Sequence, residues 1–416
     1  MSASTTPTES KATPVKYQCS FSEHCKDGRI FLGDLARNEH GFKFETNFDG
    51  AISRHCVDGI EILPPDLSEY KDSLKLPSAA IDPGNEPIIP KIIAFIRKYA
   101  DVPPEWENVA ALYVLMSWVY DRFTAVPYIR YLGESGTGKT RMLEILAAIC
   151  NRSLLFTGNV TGAALFRSID DVRGTLVVDE ADLQSSEAWS DIVKVLNSGY
   201  THDGNVLRCD KDRGFKLVSF CTFGPKVLGT REKFSDDALE NRCITFQTTQ
   251  RKIRQDIPLQ LPHRFYAEAE QLRNLLLGWR HKNWSRINPD DSFLRNKLPL
   301  RLAQIGTSLL AVAESSASQQ HLIDFLVSYG REAEETNVVC VTREAAKNIF
   351  ETVKEARIAD ITDAANGLLG VELDERNNWG EGAVKPKRVG SILRSLGCKM
   401  KRTKIGWIAS PPENGL

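Results

Sequence analysis

The stretch YIRYLGESGTGKTRMLEILAAI, residues 128–149, decides the fold. Its first five residues, 128–132, are mostly aromatic and branched aliphatic, which is typical of a buried strand. Three glycines follow within the next six residues, and 141–149 then has the apolar spacing of a helix. A strand, a glycine-rich loop and a helix in immediate succession predict one β-α unit of a parallel sheet.

The glycine-rich loop matches the pattern G-x-x-x-x-G-K-[ST]. Its residues are Gly133, Glu134, Ser135, Gly136, Thr137, Gly138, Lys139 and Thr140. Glycines let backbone N–H groups approach phosphate oxygens, and the N-terminus of the following helix adds positive potential. The pattern therefore predicts an ATP site in which Lys139 neutralises the β- and γ-phosphates and the Thr140 hydroxyl binds Mg²⁺. The alternative is a glycine turn without a ligand.

A second apolar run, 175–178, leads into the adjacent acids Asp179 and Glu180. An aspartate at the carboxyl end of a buried strand can hold Mg²⁺ through water, and a glutamate beside it can act as general base on the attacking water. The alternative is a strand that ends in a charged turn. Together with the glycine loop, these acids favour hydrolysis of ATP.

Short apolar runs alternate with helical periodicity around these motifs, which predicts an α/β fold with a parallel sheet covered by helices on both faces. A chain of 416 residues is long enough for several domains. We divide it into a disordered tail (1–14), a small β-rich module (15–62), a Pro-rich linker (63–90), the ATPase core (91–255), a helical lid (256–335) and a C-terminal domain (336–416).

Composition limits the classes of partner. The formal net charge is −1, so any surface that binds nucleic acid must be local. We expect no membrane span, because no apolar run approaches the roughly 18 residues that a membrane helix needs. Nine scattered cysteines and a polar N-terminus are typical of a cytoplasmic protein with reduced thiols.

Two segments carry clustered basic residues. In residues 205–220, two β-like runs flank a charged turn and predict a hairpin that carries Lys211, Arg213 and Lys216. Its place before the strand 226–230 resembles that of the channel hairpin of MCM-like and viral ring helicases, and the resemblance implies that these three residues contact DNA. Asp210 and Asp212 dilute this charge, so a solvated turn without a partner is the alternative.

The second segment, 385–404, holds eight basic residues and no acid. Its apolar positions fall on one face of a helix and leave Lys387, Arg388 and Arg394 outside. A hairpin with Lys399, Lys401 and Arg402 follows. A helix followed by a basic hairpin is similar to a winged-helix DNA-binding domain, and the alternative is a lysine-rich surface without DNA.

The order of these motifs resembles the AAA+ ATPases. After the acidic strand come Lys226-Val-Leu-Gly-Thr230 and Ser235-Asp-Asp-Ala-Leu-Glu-Asn-Arg242. The resemblance implies that Thr230 senses the γ-phosphate and that Arg242 is an arginine finger for the nucleotide of a neighbouring subunit, with Arg231 as a weaker competitor. For Arg242 a surface ion pair is the alternative. In the helical lid, the resemblance implies that Arg301 is a nucleotide-sensing arginine.

Residues 90–410 resemble the ATPase and winged-helix portion of phage and mobile-element primase–helicase and MCM-like proteins, chiefly through FGPKVLGT (223–230), DDALENR (236–242) and KRVGSILRSLG (387–397). The resemblance implies a ring, expected to be a hexamer, that works on single-stranded or forked DNA in a mobile or viral replication system. Residues 1–62 are too short for a primase domain, so we expect no primer synthesis. A DNA-bound switch that hydrolyses ATP without unwinding, such as an initiator, loader or transposition regulator, is the alternative. A protein-remodelling ATPase is the third possibility.

Overall fold

A computed structural model describes residues 14–70, 73–157, 162–179, 187–210, 216–234, 236–249, 253–371, 379–380, 383–404 and 406–412. The chain divides into two compact units, Met1–Leu326 and Val327–Leu416, and each has a hydrophobic core of its own. None of the helices in these ranges combines the length and the apolar character that a membrane span requires.

The first unit begins with short strands in two small sheets. They are β1 (Val15–Tyr17), β2 (Ser20–His24), β3 (Ile30–Asn38), β4 (Gly41–Thr46), β5 (Gly50–Ile52), β6 (His55–Val57) and β7 (Ile60–Leu63). The order in one sheet is β2-β3-β4-β5 and in the other β1-β7-β6. Phe21, Phe31, Phe44 and Ile62 form the core, in which the Phe21 and Phe44 rings meet edge to face with centroids 5.0 Å apart. The strands lie where the sequence predicts a small β-rich module.

The central sheet holds six strands in the order β15-β9-β14-β11-β10-β8. Its members and the hairpin inserted among them are β8 (Leu74–Lys75), β9 (Tyr128–Leu132), β10 (Ser153–Thr157), β11 (Leu176–Asp179), β12 (Asn205–Asp210), β13 (Lys216–Cys221), β14 (Lys226–Thr230) and β15 (Cys243–Gln247). All neighbours in the sheet are parallel except β8, which pairs antiparallel with β10. The predicted parallel sheet is present, and the stretch predicted to be a linker supplies its edge strand β8.

Helices cover the sheet and continue beyond it. They are α1 (Ile89–Tyr99), α2 (Pro104–Ser117), α3 (Lys139–Ile149), α4 (Gly162–Val172), α5 (Glu187–Ser198), α6 (Asp237–Glu240), α7 (His263–Asn283), α8 (Leu300–Leu310) and α9 (Ser316–Phe350). Short 3₁₀ helices lie at Ser68–Tyr70, Tyr120–Arg122 and Trp284–Arg286. Proline begins α2, where its fixed φ and missing N–H cost nothing. Because α2 is apolar on nearly all sides, it is buried along most of its length.

A buried ionic cluster joins the N-terminal strands to the rest of the first unit. Asp34 of β3 accepts a 2.8 Å hydrogen bond from Arg280 of α7 and lies 3.5 Å from Arg152. Arg280 also donates two bonds, of 2.7 and 2.8 Å, to Asp121. Burial alone would raise the pKa of Asp34, but the charges of Arg280, His281 and Arg152 outweigh it and hold the pKa well below its usual value. Asp34 therefore stays charged at neutral pH.

The second unit combines helices with a three-stranded sheet. Its elements beyond α9 are β16 (Ala356–Arg357), α10 (Ile358–Leu368), α11 (Pro386–Ser395), β17 (Lys399–Thr403) and β18 (Gly406–Ser410). The sheet order is β16-β18-β17, with both pairs antiparallel. Val389 and Leu393 of α11 are buried in the core of this unit with Ile361 of α10 and Ala409 of β18. The predicted order of helix and hairpin is present.

The β12–β13 hairpin is tied to the central sheet by a buried lysine. Lys226, the first residue of β14, donates hydrogen bonds of 2.8–3.0 Å to the carbonyl oxygens of Gly199, Thr222 and Gly224. These carbonyls follow α5 and β13, and the ammonium also lies 4.9 Å from the centre of the Tyr128 ring. Burial lowers the pKa of Lys226 to about 7.

This depressed pKa predicts a pH dependence of stability. Below pH 7 the lysine is charged in the folded and the unfolded chain, whereas between pH 7 and its unfolded value near 10.5 only the unfolded chain is protonated. The free energy of unfolding therefore gains a contribution that grows as the pH rises through this window. Urea denaturation of wild type and Lys226→Met at pH 7 and pH 9 should show a difference that increases by up to about 2 kcal/mol in favour of the wild type.

Lys233→Met, which removes an exposed lysine of the same unit, is the matched control and should not change the pH dependence. An equal pH dependence of unfolding in Lys226→Met and wild type would contradict the lowered pKa of Lys226.

Candidate nucleotide site and basic surfaces

The glycine loop 133–138 connects β9 to α3, as predicted. Gly136 has a φ of +79° and Gly138 a φ of +89°, a left-handed conformation that glycine adopts without strain. The loop therefore turns tightly and delivers Lys139 and Thr140 in the first turn of α3. Backbone N–H groups at such a helix start suit an anion.

Two threonines hold the base of this loop. The Gly133 N–H donates to the Thr230 carbonyl at 3.1 Å, and the Thr248 N–H donates to the Leu132 carbonyl at 2.7 Å. A Cβ on Gly133 would lie 2.4 Å from the carbonyl and hydroxyl oxygens of Thr248, so only glycine fits here. The Thr248 hydroxyl also lies 2.7 Å from that of Thr137. Thr248 is a site residue that sequence reasoning missed, because its distance along the chain hides the contact.

Lys139 lies over the loop. Its ammonium group donates to the carbonyl oxygens of Gly133 and Glu134, the second at 2.7 Å, and the residue is only 9% exposed. The charge is therefore held within the turn of the loop, where the pattern predicts the β- and γ-phosphates.

Thr140 and Asp179 come together as predicted. The Thr140 hydroxyl donates to an Asp179 carboxylate oxygen at 2.8 Å, although the two residues lie 39 positions apart. Asp179 is the last residue of β11 and is nearly buried. A hydroxyl beside a carboxylate offers the hard oxygen ligands that Mg²⁺ prefers. Glu180, the predicted general base, lies outside the described residues.

The neighbouring strand β14 supplies two further contributions. A Cβ on Gly229 would lie 2.9 Å from the other Asp179 carboxylate oxygen and 2.7 Å from Leu143 of α3, so the strand passes directly beneath the Thr140–Asp179 pair. Thr230, the next residue, is buried, and its hydroxyl has no hydrogen-bond partner among the residues that the structure describes. The role of Gly229 was not foreseen from the sequence.

Arg242 and Arg301 meet on one tyrosine. The guanidinium carbons of Arg242 and Arg301 lie 4.4 and 5.0 Å from the centre of the Tyr200 ring. Arg301 also donates to the Tyr200 hydroxyl at 2.8 Å, and Arg242 donates to the Asn197 amide oxygen at 2.9 Å. Nothing in the local pattern of the sequence indicates Tyr200 or Asn197, because both follow from the packing of α5 beside α6.

The Arg242 cluster lies at the edge of the sheet opposite the glycine loop. Arg242 directly precedes β15, whose first residue pairs with Tyr128, the first residue of β9, in parallel. The glycine loop instead follows Leu132, the last residue of β9. At about 3.3 Å per residue, the strand separates the two places by roughly 15–20 Å.

The segment before Arg242 is fixed by a buried ion pair. Arg130 of β9 donates to both carboxylate oxygens of Glu240, one at 2.6 Å, and is completely buried. The Asn197 amide donates to Asp236 at 2.7 Å, and this bond helps to lower the pKa of that carboxyl. The position of Arg242 is therefore set by two elements, β9 and α5, that are distant from it in sequence.

The predicted DNA-contacting residues fall into two groups. Lys211 and Arg213 lie outside the described residues, and Lys216 is the first residue of β13, where it pairs with Asp210 across the predicted hairpin. In the second unit the predicted side chains are exposed: Lys387, Arg388 and Arg394 on α11, and Lys399, Lys401 and Arg402 on β17.

Comparisons with known proteins find no matching family model and no similar curated protein. Among solved structures, the chain is similar to one described as the active helicase Cch of SCCmec type IV, with 11% identity, a TM-score of 0.42, and coverage of 90% of this chain and 77% of that one. It is also similar to two apo structures of the NrS-1 C-terminal region, at 13% and 12% identity and TM-scores of 0.32 and 0.33. These cover 86% and 90% of this chain and 82% and 83% of those chains. A TM-score below 0.5 does not establish a common fold, so the candidate nucleotide site is identified from its own residues, described above.

Gly229→Ala tests the arrangement around Asp179. The added Cβ must displace the carboxylate that Thr140 contacts. On the prediction that Thr140 and Asp179 hold Mg²⁺ for ATP hydrolysis, the substitution should raise the Mg²⁺ concentration that turnover requires and lower kcat by about 10-fold to 100-fold. Steady-state hydrolysis measured across a Mg²⁺ titration checks this expectation.

Gly367→Ala in α10 is the matched control, since a Cβ there meets nothing within 4 Å. Its kinetics should equal those of the wild type. Wild-type Mg²⁺ dependence in Gly229→Ala would mean that Asp179 does not hold the metal.

Proposed function

We propose that this chain is a Mg²⁺-dependent ATPase of AAA+ type that works on DNA as a homo-oligomeric helicase or translocase. The observation that carries the proposal is the 2.8 Å contact between the Thr140 hydroxyl and the Asp179 carboxylate, directly beyond the glycine loop. Folding joins the two sequence motifs that bind phosphate and metal, although neither motif requires the other for local structure. An accidental glycine turn and an accidental acidic strand end would not be expected to meet.

The residues of the site have distinct tasks in this proposal. Lys139 exchanges the carbonyls of Gly133 and Glu134 for the β- and γ-phosphates, so a charge that is already in place needs little reorganisation. Thr140 and Asp179 hold Mg²⁺, which offsets negative charge that develops on the phosphates. Glu180 takes the proton of the attacking water, and the buried hydroxyl of Thr230 serves the γ-phosphate.

The strand order supports the AAA+ assignment. β14 lies between β9 and β11, so the strand that ends in Thr230 separates the glycine-loop strand from the strand that ends in Asp179. Parallel strands end at the same edge of a sheet, which brings Thr230, the glycine loop and Asp179 to one place. This is the neighbourhood that a γ-phosphate sensor requires.

The position of Arg242 supports an oligomer. Its guanidinium group belongs to the edge of the sheet opposite the glycine loop, too far away to reach a nucleotide held by the same subunit. An arginine in that place serves the nucleotide of a second copy, as the resemblance implies. Arg301 shares the Tyr200 ring with Arg242 and is assigned to the same neighbouring nucleotide.

DNA is the proposed partner because exposed positive charge is concentrated in one short segment of a chain whose overall net charge is only −1. The eight basic residues of 385–404 have no acidic neighbour in that segment, and the exposed members of α11 lie on one face. The order of α10, α11 and the β17–β18 hairpin supports a winged-helix domain. The β12–β13 hairpin, with Lys211, Arg213 and Lys216, is the proposed contact inside the ring.

The DNA-bound switch remains the second candidate. The observation that favours it is that the basic surface of the second unit requires no motor, because duplex binding and ATP-dependent assembly suffice to explain it. Strand displacement distinguishes the two functions.

ATP hydrolysis with and without single-stranded and forked DNA is the primary test. We expect DNA to stimulate turnover, Lys139→Ala to abolish it, and Glu180→Gln to bind ATP but hydrolyse it about 10²–10⁴-fold more slowly, since it lacks the base. Displacement of a labelled strand from the fork should depend on the same residues.

Three other results are informative. Stimulated hydrolysis without strand displacement would favour the switch. Hydrolysis indifferent to DNA would remove DNA as the partner, and normal turnover by Lys139→Ala would refute the nucleotide site.

Mixing two inactive variants tests the role of Arg242 in the oligomer. Lys139→Ala lacks a working nucleotide site, and Arg242→Ala lacks the proposed finger. In a mixed ring, an Arg242→Ala subunit binds ATP and receives Arg242 from a Lys139→Ala neighbour. An equal mixture should recover about a quarter of wild-type hydrolysis, because about one interface in four is then complete.

Each variant is first measured alone, and unfolding curves confirm that both remain folded. A mixture no more active than the sum of its components would place Arg242 within its own subunit or outside catalysis.

A further inference from the structure

An exposed tryptophan lies within the basic segment of the second unit. Trp407 of β18 is 47% exposed and does not belong to the hydrophobic core that surrounds Ala409. Residues 383–412 contain no aspartate or glutamate, so the indole is surrounded in sequence by positive charge alone. A large aromatic side chain in such a place has no evident role in folding.

The strand register determines which way Trp407 faces. In the antiparallel pair β17–β18, Met400 lies opposite Ala409 and Arg402 lies opposite Trp407. Directly opposed residues share a face of a sheet, as do residues two positions apart along a strand. Trp407 and Arg402 therefore continue the face on which Met400 and Ala409 pack.

That face is the side of the sheet on which α11 lies. A Cβ on Gly390 of α11 would be 3.9 Å from the end of the Met400 side chain, and Ala409 shares a core with Val389. Lys399 and Lys401, by contrast, belong to the opposite face of β17. The hairpin thus divides the predicted DNA contacts, and it places Arg402 and Trp407 on the side of the sheet where α11 lies.

The paired strands of the β17–β18 hairpin fix the backbone that carries the Trp407 side chain. Beyond the Arg402–Trp407 pair the strands remain paired at Thr403 and Gly406, and the Thr403 hydroxyl donates to the Gly406 carbonyl at 2.8 Å. A ring carried on paired strands loses little conformational entropy when it binds a flat partner.

We propose that Trp407 stacks on an unpaired base at the junction between duplex and single-stranded DNA. The cations of α11 hold the duplex phosphates, and Arg402 holds the backbone beside the unpaired base. A base inside a duplex is already stacked on both faces, whereas an unpaired base offers a free face to an indole. The inference rests on the DNA binding proposed above and adds a preference for junctions.

The experiment compares full-length wild type, Trp407→Ala and Trp407→Phe on a forked DNA and on a blunt duplex of the same sequence, by fluorescence anisotropy. The unpaired position next to the junction carries 2-aminopurine, a fluorescent base whose emission falls when it stacks. Trp407→Ala should lose about tenfold in affinity for the fork and less than about twofold for the duplex. Trp407→Phe, which keeps an aromatic ring, should stay within about threefold of wild type, and quenching of 2-aminopurine should disappear only in Trp407→Ala.

Two results would overturn the inference: an equal loss on fork and duplex, or quenching that persists in Trp407→Ala. If wild type bound neither DNA, the proposed function itself would fail, whereas tight wild-type binding that Trp407→Ala leaves unchanged would remove only the stacking role. Thermal unfolding of the variants confirms that this exposed position leaves the unit folded.

Discussion

The hydrogen bond from Thr140 to Asp179 depends on β14, a strand that contains neither residue. β14 separates β9 from β11, so a side chain from α3 must reach across it to meet the end of β11. Gly229 makes this possible, since a Cβ there would approach the carboxylate within 2.9 Å. The same strand carries Thr230 and fixes the glycine loop through its carbonyl. One glycine therefore sets the distance between the glycine-loop half and the acidic half of the candidate site.

Buried basic side chains organise the rest of the first unit in three ways. Arg280 and Asp34 neutralise each other between the N-terminal strands and α7, Arg130 fixes Glu240 beneath the segment of Arg242, and Lys226 satisfies three carbonyls at the base of the hairpin. Removing one partner of such a pair costs more than the pair contributes, because the remaining group is left charged and dry. These contacts consequently specify the arrangement of elements more than they stabilise it.

The local parts of the site could be predicted from the sequence, and the long-range parts could not. The glycine loop and the acidic strand each consist of a few consecutive residues, so the sequence predicts Lys139, Thr140 and Asp179 as candidate site residues, and their nucleotide and metal roles stay predictions. Thr248, Gly229 and Tyr200 act only through strand order and packing, which no short pattern encodes. The segment 63–90 has the prolines of a linker, yet it contains β8, which pairs with β10. Two residues are enough to form this edge strand of the sheet. Charge and helical spacing indicated the basic side chains of α11, whereas the register that separates Arg402 from Lys401 is a property of the folded hairpin.

The Asp34–Arg280 contact also bears on how this chain can be rearranged in evolution. A domain that is exchanged as a cassette needs a boundary across which no buried charge is shared. The N-terminal strands do not meet that condition, because replacing them would remove Asp34 from the buried guanidinium of Arg280 on α7. The second unit meets it more nearly, since each side of the division at Leu326 and Val327 keeps its own core, although the division falls within α9. Modularity in this protein therefore lies near the carboxyl terminus, where one C-terminal module can replace another while the β-rich strands are inherited together with the central sheet.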